Sequence, residues 1–198
     1  MDYPSINRLA ELQQLIADFA KVERMPELAN NKKRENDVEH SFGLALTCWY
    51  LLPKIAPQLN LEKVLQYALA HDLVELHAGD TFVFDHVNTA SKNRREAEAI
   101  TELEKDWSDF PDLAKFAKGY MDKQDEEARF VKAVDKLLPV IMIELNDDPT
   151  IFWNTHKITV DMERENKVSI HVSEIMSPYY DALIDWLESR GHMYKESA

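Results

Sequence analysis

His71-Asp72-Leu73-Val74-Glu75-Leu76-His77-Ala78-Gly79-Asp80 gathers two imidazoles and three carboxylates into ten residues, and the pattern leading into it is helical. Leu61, Val64, Leu65, Ala68, Leu69, Leu73 and Leu76 recur at three- and four-residue steps, which predicts a helix with one apolar face. Leu65, Ala68, Asp72 and Leu76 are successive turns of that face, so Asp72 is directed inward. His71, seven residues after Val64, borders the same buried side. Glu75 lies four after His71 and three after Asp72, which brings the three polar side chains onto one patch. Gly79 then stops the helix and Asp80 follows where the chain turns. A buried carboxylate is costly unless it is paired, hydrogen-bonded or bound to a metal. A divalent cation suits this donor set; the competing reading is an ordinary salt-bridged or solvated His-Asp pair.

The rest of the 198 residues sets the context. The length fits a single domain, and 45% hydrophobic with 30% charged residues reads as an ordinary globule. Four glycines and no alternating strand pattern predict an all-α architecture. A net charge of -13 opposes general binding to nucleic acid polymers or anionic membranes, but not to a small phosphorylated ligand held by an arginine and a metal. The single cysteine, Cys48, excludes an internal disulfide and fits a reducing, cytoplasmic setting; its apolar neighbours mark it as a core residue rather than a nucleophile. The first residues have no signal-peptide pattern, and the longest uncharged apolar run, Phe42 to Leu52, is shorter than the ~20 residues that span a bilayer.

In chain order, Ser5 caps a first helix with Ile6, Leu9, Leu12, Leu15, Ile16 and Phe19 as its stripe. Pro26 stops it, and residues 26–37 read as irregular. A second helix runs from about Val38 to Leu52, with Phe42, Ala45, Leu46 and Trp49 inward. Pro53 and Pro57 flank a linker to the helix described above. Residues 81–90 read as a loop, followed by helices from about Ser91 to Trp107 and Pro111 to Tyr120. Asp125 caps a long helix to about Leu145, with Val131, Val134, Leu138, Ile141 and Leu145 as its seam. Residues 146–158 are ambiguous, and one or two helices occupy roughly 160–189, interrupted near Pro178.

Two further residues bear on chemistry. His40 opens the second helix; alone it reads as readily as a core histidine. Asp135 lies near the seam of the long helix, and its alternative is an ion pair with Lys132 or Lys136. Taken together, His40, His71, Asp72 and Asp135 come from three predicted helices at inward positions. Two imidazoles and two carboxylates suit a divalent first-row ion (Mn, Co, Fe, Ni or Zn) and leave coordination positions for water.

The order H…HD…D resembles the HD-domain metal-dependent phosphohydrolases. Arg34-Glu-Asn-Asp-Val-Glu-His-Ser41, Ala70 to Asp80, Asn93-Arg-Arg-Glu-Ala-Glu-Ala-Ile100 and Asp125 to Lys136 are similar, in order, to the 5'-deoxynucleotidase-like branch. The resemblance runs from about Arg24 to Glu144. It implies a single HD domain over 1–198, an all-α helical bundle with the metal site between its central helices. The metal-binding core would cover about 24–146 and the C-terminal helices about 150–190. It implies one metal ion on His40, His71, Asp72 and Asp135, and Glu75 as the acid beside the attacking water. Asp80 becomes a second catalytic acid or a sugar contact, with a plain loop residue as the alternative. Arg24 matches the arginine that grips the phosphate. Where the branch commonly has Trp after this arginine, this chain has Met25, which bears on sugar choice. Arg94 and Arg95 are phosphate candidates by position, although a solvated helix face accounts for them better. His77, His86, His156, His171 and His192 do not complete a second metal site.

The expected activity is a metal-dependent phosphomonoesterase acting on nucleoside 5'-monophosphates, deoxyribonucleotides included. The alternatives are an HD hydrolase of another phosphorylated metabolite or a phosphodiester, and a metal-stabilised binding module without turnover. The resemblance and the apolar C-terminal residues Ile175, Tyr179, Leu183, Trp186 and Leu187 point to a homodimer; the alternative is that these residues cover the core of one chain.

Overall fold

Three helices carry the centre of the molecule: α2 (Asp37–Ile55), α3 (Leu61–Ala70) and α7 (Glu126–Glu144) pack against one another pairwise. A computed structural model describes residues 4–27, 33–78 and 86–195, and of 77, 78 and 86–93 the backbone only. Ten α-helices are present among the described residues, so the expected all-α bundle is observed. The core between the three central helices is built from Leu44, Cys48, Val64, Tyr67, Ala68, Phe130, Val131 and Val134. Cys48 is buried there as a free thiol whose ionisation burial suppresses. No helix among the described residues is long and apolar enough to cross a membrane.

The hairpin before α2 departs from the sequence expectation. Residues 23–27 and 34–36 form antiparallel strands β1 (Glu23–Glu27) and β2 (Arg34–Asn36). Glu23 faces Asn36 and Glu27 faces Arg34, so β1 carries a bulge over Arg24, Met25 and Pro26. A bulge and an internal proline erase the alternation by which a strand is recognised.

α2 starts on a capping box: the Asn36 side chain accepts from Glu39 N and the Glu39 side chain accepts from Asn36 N. Its buried face is Asp37, His40, Ser41, Leu44, Cys48 and Leu52. The expected inward residues Phe42, Leu46 and Trp49 are instead 67%, 52% and 57% exposed. The helix is apolar almost all round, so periodicity alone does not fix its phase. It also continues past Pro53 to Ile55. On α7 Val131 and Val134 are buried as expected and Leu138 packs against the core, so the departure is confined to the later turns. Leu137, Val140 and Ile143 point inward, whereas Ile141 and Leu145 are exposed.

α1 (Ile6–Phe19) begins at the Ser5 cap as expected. α5 (His86–Asp106) starts earlier than Ser91, and α6 (Asp112–Met121) follows. Gly119 lets α6 approach α3, since a Cβ there would stand 2.9 Å from the Tyr67 hydroxyl. The ambiguous segment contains α8 (Thr150–His156). Beyond it come α9 (Val160–Lys167), a 3-10 helix over Val168–Val172 that packs along α7, and α10 (Ser177–Arg190), with Pro178 in its first turn rather than interrupting it. Buried Glu144 ties this end to α7, accepting from Trp153 Nε1 at 2.7 Å, His192 Nδ1 at 2.8 Å and Arg190 Nε at 3.2 Å. Leu183 and Leu187 are buried in this chain's own core, and Ile175, Tyr179 and Trp186 pack against it.

Candidate metal centre

The helix that begins at Leu61 ends at Ala70, not at Gly79. His71 to Val74 form a tight turn. Leu73 N bonds Ala70 O at 3.2 Å, Glu75 N bonds Asp72 O at 2.8 Å and Leu76 N bonds Leu73 O at 3.3 Å. The short helix α4 (Glu75–Ala78) then begins at Glu75. The cause of the break lies in His71 itself. Its Nδ1 sits 3.0 Å from Ala68 O, the carbonyl that a continuing helix would present to the Asp72 N–H. Donation from Nδ1 fixes the ring and leaves Nε2 as the basic nitrogen, the arrangement metal-binding histidines commonly have.

His40, His71 and Asp72 each offer a ligand atom within 4.8 Å of the others. His71 Nε2 is buried without a hydrogen bond and lies 2.9 Å from Asp72 Oδ2. Asp135 joins from α7: its Oδ1 lies 3.0 Å from His40 Nε2, and its Oδ2 accepts from the Tyr120 hydroxyl at 2.7 Å. The four residues expected to meet therefore do meet, at the end of α3 and on the inner faces of α2 and α7. Lys136 Nζ stands 3.2 Å from Asp135 Oδ2, so the ion pair considered for Asp135 exists alongside its place in the cluster; Lys132 lies over the Tyr120 ring instead.

The charge of this region is lopsided. Glu35, Asp37, Asp72, Glu75 and Asp135 gather about the two imidazoles, with Arg24 and Lys136 as the permanent cations paired to them. Burial and Arg24 push the His40 imidazolium down, but Asp135 and Glu35 outweigh them and hold its pKa up at about 9. Burial raises the Asp72 carboxyl, yet His71 and Arg24 hold it well below the usual carboxylate range. Asp135 is likewise held low by Lys136 and His40 against its burial. A pocket that keeps both aspartates ionised and draws a proton onto a buried histidine is one that favours a cation. Its nitrogen and oxygen donors fit a divalent first-row ion, whose identity they leave open.

Arg24 comes from the bulge of β1. Its Nη1 donates to Asp72 Oδ2 at 2.6 Å and to Asp37 Oδ1 at 3.2 Å, and its Nε lies 3.5 Å from Glu35. Met25 is half-buried beside it. Glu75 is buried, and its carboxylate groups with Asp37 and Asp72 within 4.8 Å rather than with the histidines. Arg94 is exposed and lies 3.7 Å from Glu98, as a solvated helix face requires. Asp80 lies outside the described residues. Sequence reasoning missed Glu35, Asp37 and Tyr120. The acidic run before His40 was the available signal for the first two; Tyr120 carried none.

The profile of the HD domain family matches residues 18–176 of this chain. The chain is similar to the 5'-deoxynucleotidase HDDC2 of Bos taurus, 27% identical over 143 residues that cover 71% of this chain and 68% of that one. Its likeness to the human protein of the same name is 24% over 143 residues, covering 71% and 69%. Among solved structures it is similar to a predicted metal-dependent phosphohydrolase from Magnetospirillum magnetotacticum MS-1, with a TM-score of 0.78, 26% identity and coverage of 95% and 99%. The PH0347 protein of Pyrococcus horikoshii OT3 shares the fold, with a TM-score of 0.60 at 22% identity and coverage of 89% and 98%.

Proposed function

The chain belongs to the HD-domain family, and on that premise we propose that it is a phosphomonoesterase removing phosphate from nucleoside 5'-monophosphates, deoxyribonucleotides included, in the cytoplasm. The observation that carries this reading is Glu75: a buried acid grouped with Asp72 but outside the histidine set, which a purely structural metal site does not need.

One divalent ion would be held by His40, His71, Asp72 and Asp135. It would supply acidification of a water and charge stabilisation at phosphorus. Glu75 takes the proton of the attacking water. Arg24, planar and permanently charged, holds the phosphoryl oxygens, since its guanidinium already lies at the edge of the cluster. Tyr120 holds Asp135 in register from the far side. Asp80 is assigned to the sugar or to a second acid role.

The test is a panel of matched substrates with the metal-loaded protein. Phosphate release from 5'-monophosphates and little from 3'-monophosphates is expected; activity confined to phosphodiesters would replace this reading. Sugar choice gives a sharper expectation. Met25 sits in the bulge, where strand alternation does not force it away from the face of Arg24. An unbranched, adaptable side chain is a softer wall than Trp, and steric discrimination weakens with the wall. Ribonucleotides are therefore rejected only weakly, and Met25→Trp raises the deoxy-to-ribo ratio of kcat/KM. A strong deoxy preference unchanged in Met25→Trp would remove Met25 from the sugar site.

Assembly as a homodimer, which the resemblance implies, needs a free apolar face, and the C-terminal residues are used within the chain. Phe42, Leu46, Trp49 and Tyr50 form such a face along α2, each more than half exposed. With aromatic side chains of ~150–250 Å² each, this face offers on the order of 400 Å² per chain, two thirds of the ~600 Å² per partner at the lower end of stable interfaces. Sedimentation should give twice the 23.0 kDa chain mass, and Trp49→Glu should return the monomer. A monomeric natural protein at micromolar concentration would refute the dimer.

A further inference from the structure

The bulge of β1 stands opposite a single residue. Between the pairs Glu23–Asn36 and Glu27–Arg34, β1 carries Arg24, Met25 and Pro26, while β2 carries only Glu35. The same residue immediately precedes the capping box of α2, whose N-cap is Asn36 and whose fourth helical residue is His40. Those are the two positions at which an apolar pair commonly staples the start of a helix. Here the pair is a carboxylate and an imidazole, both buried. An apolar residue at position 35 would staple α2 without the cost of a buried charge, so the helix start does not account for Glu35.

What Glu35 meets does account for it. Its Oε2 atom lies 3.3 Å from His40 Nδ1 and 3.5 Å from Arg24 Nε. Both separations exceed a standard hydrogen bond, and among the described residues none of the three buried atoms makes such a bond elsewhere. One oxygen thus stands between two nitrogens that have no other acceptor there. His40 turns Nε2 the other way, 3.0 Å from Asp135 Oδ1 and into the cluster. A histidine that ligates through one nitrogen commonly gives its other N–H to a carboxylate, which fixes the tautomer and the ring. Arg24 is anchored at a second point, where Nη1 donates to Asp72 and Asp37. A planar guanidinium held at both Nε and Nη1 keeps one orientation.

We propose that Glu35 is a positioning residue that sets two holds with one oxygen: His40 for the metal ion and Arg24 for the phosphoryl group. Removing its charge loosens both holds, although Glu35 touches neither ion nor substrate. The inference rests on the phosphatase reading, but its test needs no turnover. A protein that binds metal and releases no phosphate would sink that reading and leave this one to two affinities.

Cobalt(II) affinity, measured by competition with a chelator, reads the first hold. Calorimetric titration of inorganic phosphate into the cobalt-saturated protein reads the second. Glu35→Leu supplies the apolar staple and should weaken cobalt binding about 10- to 100-fold, the usual worth of such an outer partner. Phosphate binding to the saturated variant should fall about 10-fold, as for a weakened charge-assisted contact. Glu35→Gln keeps an oxygen without the charge, so both affinities should lie between those of Glu35→Leu and the natural protein, a graded rescue that a packing role does not give. Arg24→Met should weaken phosphate binding, and adding Glu35→Leu to it should weaken it no further, since that effect passes through Arg24. If Glu35→Leu does not fold, Glu35→Gln carries the test, with a several-fold loss expected in each affinity. Cobalt and phosphate affinities within twofold of the natural protein in the folded variants would overturn the proposal. So would loss of one affinity with the other within twofold, or an additive phosphate loss in the double variant.

Discussion

Asp135→Ala is expected to lose the metal ion and phosphate release together. Asp135 is the junction of the centre: one oxygen meets His40 Nε2 at 3.0 Å, and the other takes the Tyr120 hydroxyl at 2.7 Å and Lys136 at 3.2 Å. Truncation removes a buried carboxylate whose ionised form the surroundings enforce. It also strands the Tyr120 hydroxyl, at about 1–3 kcal/mol for an unsatisfied buried group. Asp135→Asn keeps the shape and the Tyr120 bond but removes the charge, so it should fold well and still fail to retain the ion. His71→Ala should behave alike, because His71 Nε2 is the nitrogen that the Ala68 carbonyl leaves exposed to the cluster. Elemental analysis showing full metal occupancy in both alanine variants would end the ligand assignment.

Glu75→Ala should divide binding from catalysis. Glu75 opens α4 after the turn that carries His71 and Asp72, and its carboxylate belongs with Asp37 and Asp72 rather than with the imidazoles. The variant keeps its metal and loses about 10²–10⁴-fold in kcat, the usual worth of a positioned acid or base. Glu75→Gln, with the same shape and no basic oxygen pair, should be equally slow. Normal turnover by the metal-loaded variant would take Glu75 out of the mechanism; a metal-free variant would make it a ligand.

The four candidate metal ligands are legible in the sequence because they stand out twice, by chemistry and by phase. Asp72 and Asp135 interrupt apolar stripes, and an interruption of that kind needs a partner. The surroundings of the set were less legible, for physical reasons. Asp37 and Glu35 occupy an exposed-looking polar run that the β1–β2 hairpin folds inward, and a bulged strand with a proline has no periodic signature. The inward face of α2 is not fixed by periodicity, because Phe42, Leu46 and Trp49 keep helical spacing as well as Leu44, Cys48 and Leu52 do. The break after Ala70 depends on a side chain capturing a backbone carbonyl, which spacing does not record.

One divalent ion on His40, His71, Asp72 and Asp135 is expected to make this HD domain a phosphatase of nucleoside 5'-monophosphates. The most direct measurement is phosphate release from a deoxyribonucleoside 5'-monophosphate while the stripped protein is titrated with a first-row divalent metal. Activity should rise from zero in proportion to bound metal and break at one equivalent per chain. Stoichiometric binding with no phosphate released at any loading, or release that persists in the stripped protein, would contradict it.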